Sequence, residues 1–114
     1  MHVIVDAEYG GRPLDEQQLM LLAGELTAHI GMTPMGEPLY VGGTHPWGPS
    51  LIIPWQESHA SVHYMPPPTL AVDLFSCRAF DDRAALVWLW ERLFLVRLLN
   101  YRLIHRFFDR FQAS

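Results

Sequence analysis

The sequence predicts a single α+β domain, a two-layer α/β sandwich in which helices pack on one face of an antiparallel sheet. The length of 114 residues suits one domain, residues 1–114. Half of the residues are apolar, which is enough for a buried core. Segments whose apolar residues recur at helical spacing alternate with short segments rich in β-branched residues. Gly and Pro residues flank the short segments.

The first half of the chain predicts a strand, a helix and two further strands. Residues 2–9 form the first strand because β-branched residues follow one another there. Asp15 is the predicted N-cap of a helix with apolar residues at helical spacing, and Gly31 is its stop signal. A turn-rich segment then surrounds a short strand at residues 39–41, and residues 50–53 form the next strand.

The second half predicts two strands, a helix and a last strand. Asp81 or Asp82 caps the helix, which extends to about Leu99 and is apolar nearly all round. Residues 101–108 fit either a last strand or an extension of this helix, and we predict the strand. The strands predicted in this half are residues 59–64, 70–76 and 101–108.

Composition excludes several classes of function. A net charge of −4 without a basic patch argues against a nucleic-acid partner. Asp6 interrupts the first apolar run, so no signal peptide is expected, and a single cysteine suits the cytoplasm. Arg92 and Arg97 interrupt the second helix, which argues against a membrane span. Arg beside Trp and Phe is also typical of a helix on a membrane surface, and that alternative stays open.

Residues 56–63, Gln-Glu-Ser-His-Ala-Ser-Val-His, contain a candidate self-cleavage site. A hydroxyl nucleophile at Ser58 directly follows the carbonyl of Glu57, so an N-to-O acyl shift would give an ester. β-Elimination would then split the backbone and leave a dehydroalanine at residue 58, which water hydrolyses to an N-terminal pyruvoyl group with release of ammonia. His59, Ser61 and His63 share one face of an extended strand, which brings imidazoles near the new chain end.

Three pieces of the sequence resemble the bacterial S-adenosylmethionine decarboxylase family. They keep close to the family's spacing, and the resemblance covers most of the chain. The pieces are Glu57-Ser58-His59 with His63, Ala71 to Cys77, and Gly48-Pro49-Ser50.

The resemblance implies a self-processing, pyruvoyl-dependent decarboxylase of polyamine biosynthesis. It implies cleavage into a β chain, residues 1–57, and an α chain, residues 58–114, with the pyruvoyl group derived from Ser58. The pyruvoyl carbonyl would form a Schiff base with a small amine substrate, which then loses CO2. The resemblance further implies a homodimer of processed protomers with active sites near the interface.

The resemblance also implies roles for individual residues. Ser58 is the pyruvoyl precursor, and Glu57 becomes the new C-terminus of the β chain. His63 assists processing by taking the proton that drives ester elimination. Ser50 takes part in processing and catalysis, and Cys77 is the proton donor to the α-carbon after CO2 leaves.

Two other cofactors are not expected. All eight basic residues are Arg, so the chain has no lysine on which pyridoxal phosphate could be held. A zinc site of His59 and His63 with His45 or Cys77 has the right ligand types. Its spacing matches no standard metal motif, so we predict no metal site.

The sequence does not decide which substrate the protein binds. The adenine-stacking phenylalanine of the family falls on Thr44, and its Trp-Pro-Glu after the histidine reads Met65-Pro66-Pro67. Trp47, Trp55 and Met65 are the substrate-binding candidates that replace those positions.

A changed pocket indicates a changed substrate. The resemblance extends to relatives that act on L-arginine or L-ornithine, and either is the alternative substrate, with Asp6, Glu8 or Glu37 as the partner of its cationic tail. A further alternative is an unprocessed, non-catalytic binding or regulatory subunit.

Overall fold

A computed structural model describes residues 1–106 of the chain as six strands and two helices. All strand pairs are antiparallel, and the sheet order is β2-β3-β4-β5-β1-β6. The predicted α+β class is confirmed. The elements are β1 His2–Tyr9, α1 Glu16–Ile30, β2 Leu39–Val41, β3 Ser50–Pro54, β4 Ser58–Tyr64, β5 Thr69–Ser76, α2 Asp82–Arg92 and β6 Leu95–Ile104.

The core lies between the two helices and one face of the sheet. Alternate residues of the central strands are buried, for example Val3 and Val5 on β1 and Val72 on β5. These side chains form one cluster with buried residues of both helices, such as Leu26 and Leu89. The opposite face of the sheet carries half-buried side chains and is called the open face below.

Helix α1 begins and ends where the sequence predicts. The Asp15 carboxylate accepts from the Gln18 N–H at 2.8 Å, and the Gln18 side chain accepts from the Asp15 N–H at 2.9 Å, which makes a capping box. Gly31 ends the helix in the left-handed conformation at φ 80°. The chain after Gly31 therefore turns back toward the sheet.

The predicted extent of α2 is wrong. The helix ends at Arg92, and Phe94 reverses the chain at a positive φ of 55°. The residues assigned to its last turns instead begin β6, which pairs along the whole of β1. The predicted last strand is confirmed up to Ile104, residues 105–106 are not strand, and residues 107–108 lie outside the described residues.

Neither helix in the described part of the chain is long and apolar enough to cross a membrane.

Trp55 joins the sheet to α1 through a buried hydrogen bond. Its indole N–H donates to the Thr27 hydroxyl at 2.9 Å, and that hydroxyl donates to the Ala23 carbonyl at 2.7 Å. Only 3% of Trp55 is exposed. The Thr27 hydroxyl is therefore the partner that satisfies a buried donor.

Replacing Thr27 by Val keeps the side-chain shape and removes this acceptor. We expect the free energy of unfolding to fall by about 1–3 kcal/mol, because a buried N–H is left unpaired. Urea unfolding measures it in a chain that also carries Ser58→Ala, so that one covalent chain unfolds. The control is Leu21→Ala on the solvent side of α1, where the side chain is 65% exposed. Equal effects of the two substitutions would contradict the assignment.

Candidate active site

The predicted scissile bond lies in the tight turn between β3 and β4. Trp55 donates its N–H to the Ser58 carbonyl at 2.9 Å, and Ser58 donates back to the Trp55 carbonyl at 3.2 Å. Gln56 and Glu57 are thus the two central residues of a β-hairpin. The Glu57–Ser58 bond leaves the turn at the first residue of β4.

Three polar groups meet at this bond. The Cys77 N–H donates to the Ser58 Oγ at 2.8 Å and to the Glu57 carbonyl oxygen at 3.2 Å. The Ser58 hydroxyl in turn donates to the Glu57 carbonyl. Pairing of Ser58 with Ser76 sets this arrangement, because it brings the end of β5 beside the start of β4. A hydroxyl, the carbonyl it would attack and an N–H donor therefore lie at one point.

The Cys77 side chain is exposed, so its thiol and its amide have different surroundings. The Cys77 amide N–H is hydrogen-bonded to the Ser58 hydroxyl and the Glu57 carbonyl, as described above. The thiol stands at the surface of the same end of the sheet. The backbone of Cys77 therefore contacts the scissile bond while its side chain is accessible to solvent.

The Glu57 carboxylate is held by Thr33 and lies close to Arg78. The Thr33 N–H and hydroxyl each donate to it at 3.2 Å, and the Arg78 Nε lies at 3.8 Å. The Thr33 N–H is the main cause that lowers the pKa of this carboxyl below its ordinary value, against the effect of partial burial. The Thr33 hydroxyl and Arg78 lower the pKa further.

Ser50 and His63 form a second group. They are direct partners across β3 and β4, and His63 Nδ1 lies 2.9 Å from the Ser50 Oγ. The same row across the open face continues through Ala71, Asp6 and Asn100, one residue on each of β5, β1 and β6. Asp6 accepts from the Asn100 side-chain amide at 3.2 Å. This line of residues is called the His63 row.

His59 belongs to another row of the open face. Its ring stacks on Phe75 with 5.1 Å between centroids, and His2 meets Phe75 edge-on at 6.1 Å. His2 Nε2 lies 3.1 Å from an Asp73 carboxylate oxygen. Residues 1–106 contain no group of three or more His, Cys, Asp or Glu side chains placed to hold a metal ion.

Within one protomer, Ser58 and His63 do not meet. They are five residues apart on one strand, which corresponds to about 16 Å. An odd separation also puts them on opposite faces, Ser58 with the core-facing residues and His63 on the open face. The candidate residues therefore divide into a cleavage group, Glu57, Ser58 and Cys77, and a histidine group, Ser50 and His63.

The three predicted substrate contacts are not together. Trp47 and Met65 line one cavity of about 310 Å³ with Tyr9 and Pro49, beside the end of β4 that carries the histidine group. Trp47 is 55% exposed. Trp55 is buried and hydrogen-bonded to α1, so its predicted role in stacking on a substrate is corrected: its ring belongs to the core.

Sequence reasoning missed Thr33 and Arg78. Thr33 lies in the segment that the sequence predicts only as turn-rich, and Arg78 is one of eight Arg residues to which the sequence assigns no individual role. The nearest signal was the position of Arg78 directly after Cys77. Neither position has a local pattern that indicates a contact with Glu57.

Comparison with known protein families identifies the family of the chain. A sequence model of the S-adenosylmethionine decarboxylase family matches residues 1–106. The chain therefore belongs to the S-adenosylmethionine decarboxylase family, whose members depend in general on a pyruvoyl group. No curated protein matches the chain significantly.

The contacts of Glu57 predict its titration. In the Ser58→Ala chain, carboxyl ¹³C NMR should show Glu57 titrating with a midpoint below the ordinary value of 4.5. A lowered carboxyl pKa stabilises the folded protein at pH values above the ordinary pKa. This contribution to stability is lost as the pH falls through the lowered pKa. Arg78→Ala should raise the midpoint, and Glu57→Gln assigns the signal. A midpoint at or above 4.5 would contradict these contacts.

Proposed function

We propose that this protein is a self-processing, pyruvoyl-dependent decarboxylase of polyamine biosynthesis, with S-adenosylmethionine as its substrate. The observation that carries the proposal is the meeting of the Ser58 hydroxyl, the Glu57 carbonyl and the Cys77 N–H at one peptide bond. Membership of the decarboxylase family over residues 1–106 supports the reaction class.

The processing reaction uses the chain's own groups. The Ser58 Oγ bonds to the Glu57 carbonyl carbon, the C–N bond breaks, and the hydroxyl proton passes to the freed amine. The Cys77 N–H stabilises the negative charge that develops on the Glu57 oxygen. Loss of the Ser58 α-proton then breaks the Cβ–Oγ bond and releases the Glu57 carboxylate. One water hydrolyses the remaining dehydroalanine end to a ketone and ammonia.

The residues around position 58 fit a pyruvoyl group. Ser58 is its precursor, the Cys77 N–H faces the position from the loop after β5, and the sequence has no lysine that could compete as an imine former. When present, the group supplies an electrophilic carbonyl that draws electrons from the substrate α-carbon as CO2 leaves. The exposed Cys77 thiol is the proposed proton donor to that carbon.

A second copy of the chain completes the site in this proposal. His63 and Ser50 lie about 16 Å along the strand from Ser58 and on the other face, so their own Ser58 is out of reach. A partner chain related by a twofold axis, with its turn between β3 and β4 placed at the open face of this protomer, would bring one protomer's histidine group to its partner's cleavage group. The proposed active enzyme is therefore a homodimer.

S-Adenosylmethionine, the substrate that gives the family its name, is the proposed substrate, and a basic amino acid is the alternative. Asp6 favours this alternative, since its carboxylate lies on the His63 row of the open face. Glu8 is less available, because it already accepts from Arg97 at 3.2 Å. Glu37 lies in a different cavity beside Pro54 and α1. L-Arginine or L-ornithine would place a cationic tail near Asp6.

Release of CO2 from S-adenosylmethionine, arginine and ornithine tests this function. We expect activity with one of them and a cyanoborohydride-trapped adduct on the fragment that begins at residue 58. Ser58→Ala should abolish both. Cys77→Ala keeps the backbone N–H, so it should cleave normally while turnover falls roughly 10²–10⁴-fold, as for loss of a general acid. A cleaved protein inactive on all three substrates would contradict the proposed reaction.

Co-expression of two inactive variants tests the shared site. His63→Ala chains retain Ser58, and Ser58→Ala chains retain His63. A mixed dimer has one site with both residues, so we expect the His63→Ala chain to be cleaved only when the Ser58→Ala chain is present. Two different affinity tags identify the cleaved chain. Absence of cleavage in purified mixed dimers would show that His63 does not act across the interface.

A further inference from the structure

The side chain of Glu57 has no part in the processing chemistry, yet it is among the most constrained groups at the turn. Its carboxylate receives the Thr33 N–H and hydroxyl, each at 3.2 Å, with Arg78 Nε at 3.8 Å. Only 17% of the side chain is exposed. Hydrogen bonds to an ionised acceptor are stronger than neutral ones. The carboxylate therefore restrains the backbone from which it extends.

Thr33 contacts both central residues of the hairpin turn. Besides its two bonds to Glu57, its carbonyl accepts the Gln56 N–H at 2.9 Å. The left-handed Gly31 positions it, since that residue ends α1 and directs the chain toward the turn. The Arg78 guanidinium donates to the Gly31 carbonyl as well as facing Glu57, so it joins the loop after α1 to the loop after β5.

The two loops hold two different groups of Glu57, the residue before the scissile bond. The loop after α1 holds the Glu57 side chain through Thr33, whereas the loop after β5 holds the Glu57 carbonyl through the Cys77 N–H. Because both groups of Glu57 are hydrogen-bonded, rotation of its carbonyl group away from the Ser58 hydroxyl is restrained. An intramolecular attack of this kind depends strongly on such alignment.

We propose that Thr33 and Arg78 are positioning residues for self-cleavage, and that they act through the Glu57 carboxylate. This inference rests on the proposed function, because it concerns the acyl shift at the Glu57–Ser58 bond. The three side chains transfer no proton and form no bond in that step. They keep the carbonyl carbon within reach of the Ser58 Oγ.

The rate of cleavage after cell-free synthesis, followed by denaturing mass spectrometry, tests the proposal. Glu57→Ala removes every side-chain contact and should slow cleavage roughly 10- to 100-fold. Thr33→Val and Arg78→Ala each remove one contact to Glu57 and should slow cleavage by smaller factors. Thr33→Ser and Arg78→Lys should restore much of the rate, since each keeps the donor.

Arg92→Ala is the matched control. Arg92 bridges Glu25 at 2.6 Å with 45% of its side chain exposed, comparable with 52% for Arg78, but it lies on α2 away from the turn. Its removal should leave the cleavage rate unchanged.

A double-mutant comparison separates positioning from general destabilisation. If Arg78 acts through Glu57, then Glu57→Ala with Arg78→Ala should cleave no more slowly than Glu57→Ala alone. Hydroxylamine, which cuts the ester, should reveal no ester accumulation in these variants, because the acyl shift itself is slowed. Additive slowing, or ester accumulation, would overturn the proposal.

The parent chain decides between two kinds of failure. If the parent cleaves and the Glu57, Thr33 and Arg78 variants cleave at its rate, the positioning role is wrong and the proposed function stands. If the parent never cleaves, the proposed function is overturned and this inference falls with it.

Discussion

The backbone amide of Cys77 donates to the Ser58 hydroxyl at 2.8 Å and to the Glu57 carbonyl at 3.2 Å, and the candidate site is built around these two contacts. Both follow from the register of β4 on β5, where Ser58 pairs with Ser76. A shift of one residue would turn every side chain of β4 to the other face. The buried residues of β4 resist such a shift, so the packed core also fixes the geometry of the scissile bond.

The alternation of side chains along β4 also separates the two groups of candidate site residues. Ser58 lies on the core side of β4 and His63 on the open face, where it bonds to Ser50 at 2.9 Å. A single sheet cannot bring both faces to one point. A partner chain is the simplest structure that can, and this is why the proposed function includes a homodimer. The half-buried open face, where the His63 row carries polar side chains on four of its five strands, suits that role.

Local signals explain what the sequence could predict. Asp15 and Gly31 mark the ends of α1 through their own backbone preferences, and the common face of His59 and His63 follows from strand periodicity alone. The boundary between α2 and β6 could not be predicted from the sequence, because a continuous apolar run fits the helical and the strand periodicity equally well. Only the pairing of β6 with β1 decides where the helix ends. The contacts of Thr33 and Arg78 with Glu57 join three separate loops, and no local pattern encodes them.

The most direct test is the denatured mass of the freshly purified protein. The account predicts two fragments divided between Glu57 and Ser58. The second should be lighter, by the mass of one ammonia, than a fragment with an N-terminal serine, and borohydride should add hydrogen to it. A second fragment that starts with intact serine would indicate ordinary proteolysis. One intact species, persisting after long incubation and without a reactive carbonyl, would contradict the account and leave a family member that binds without catalysing.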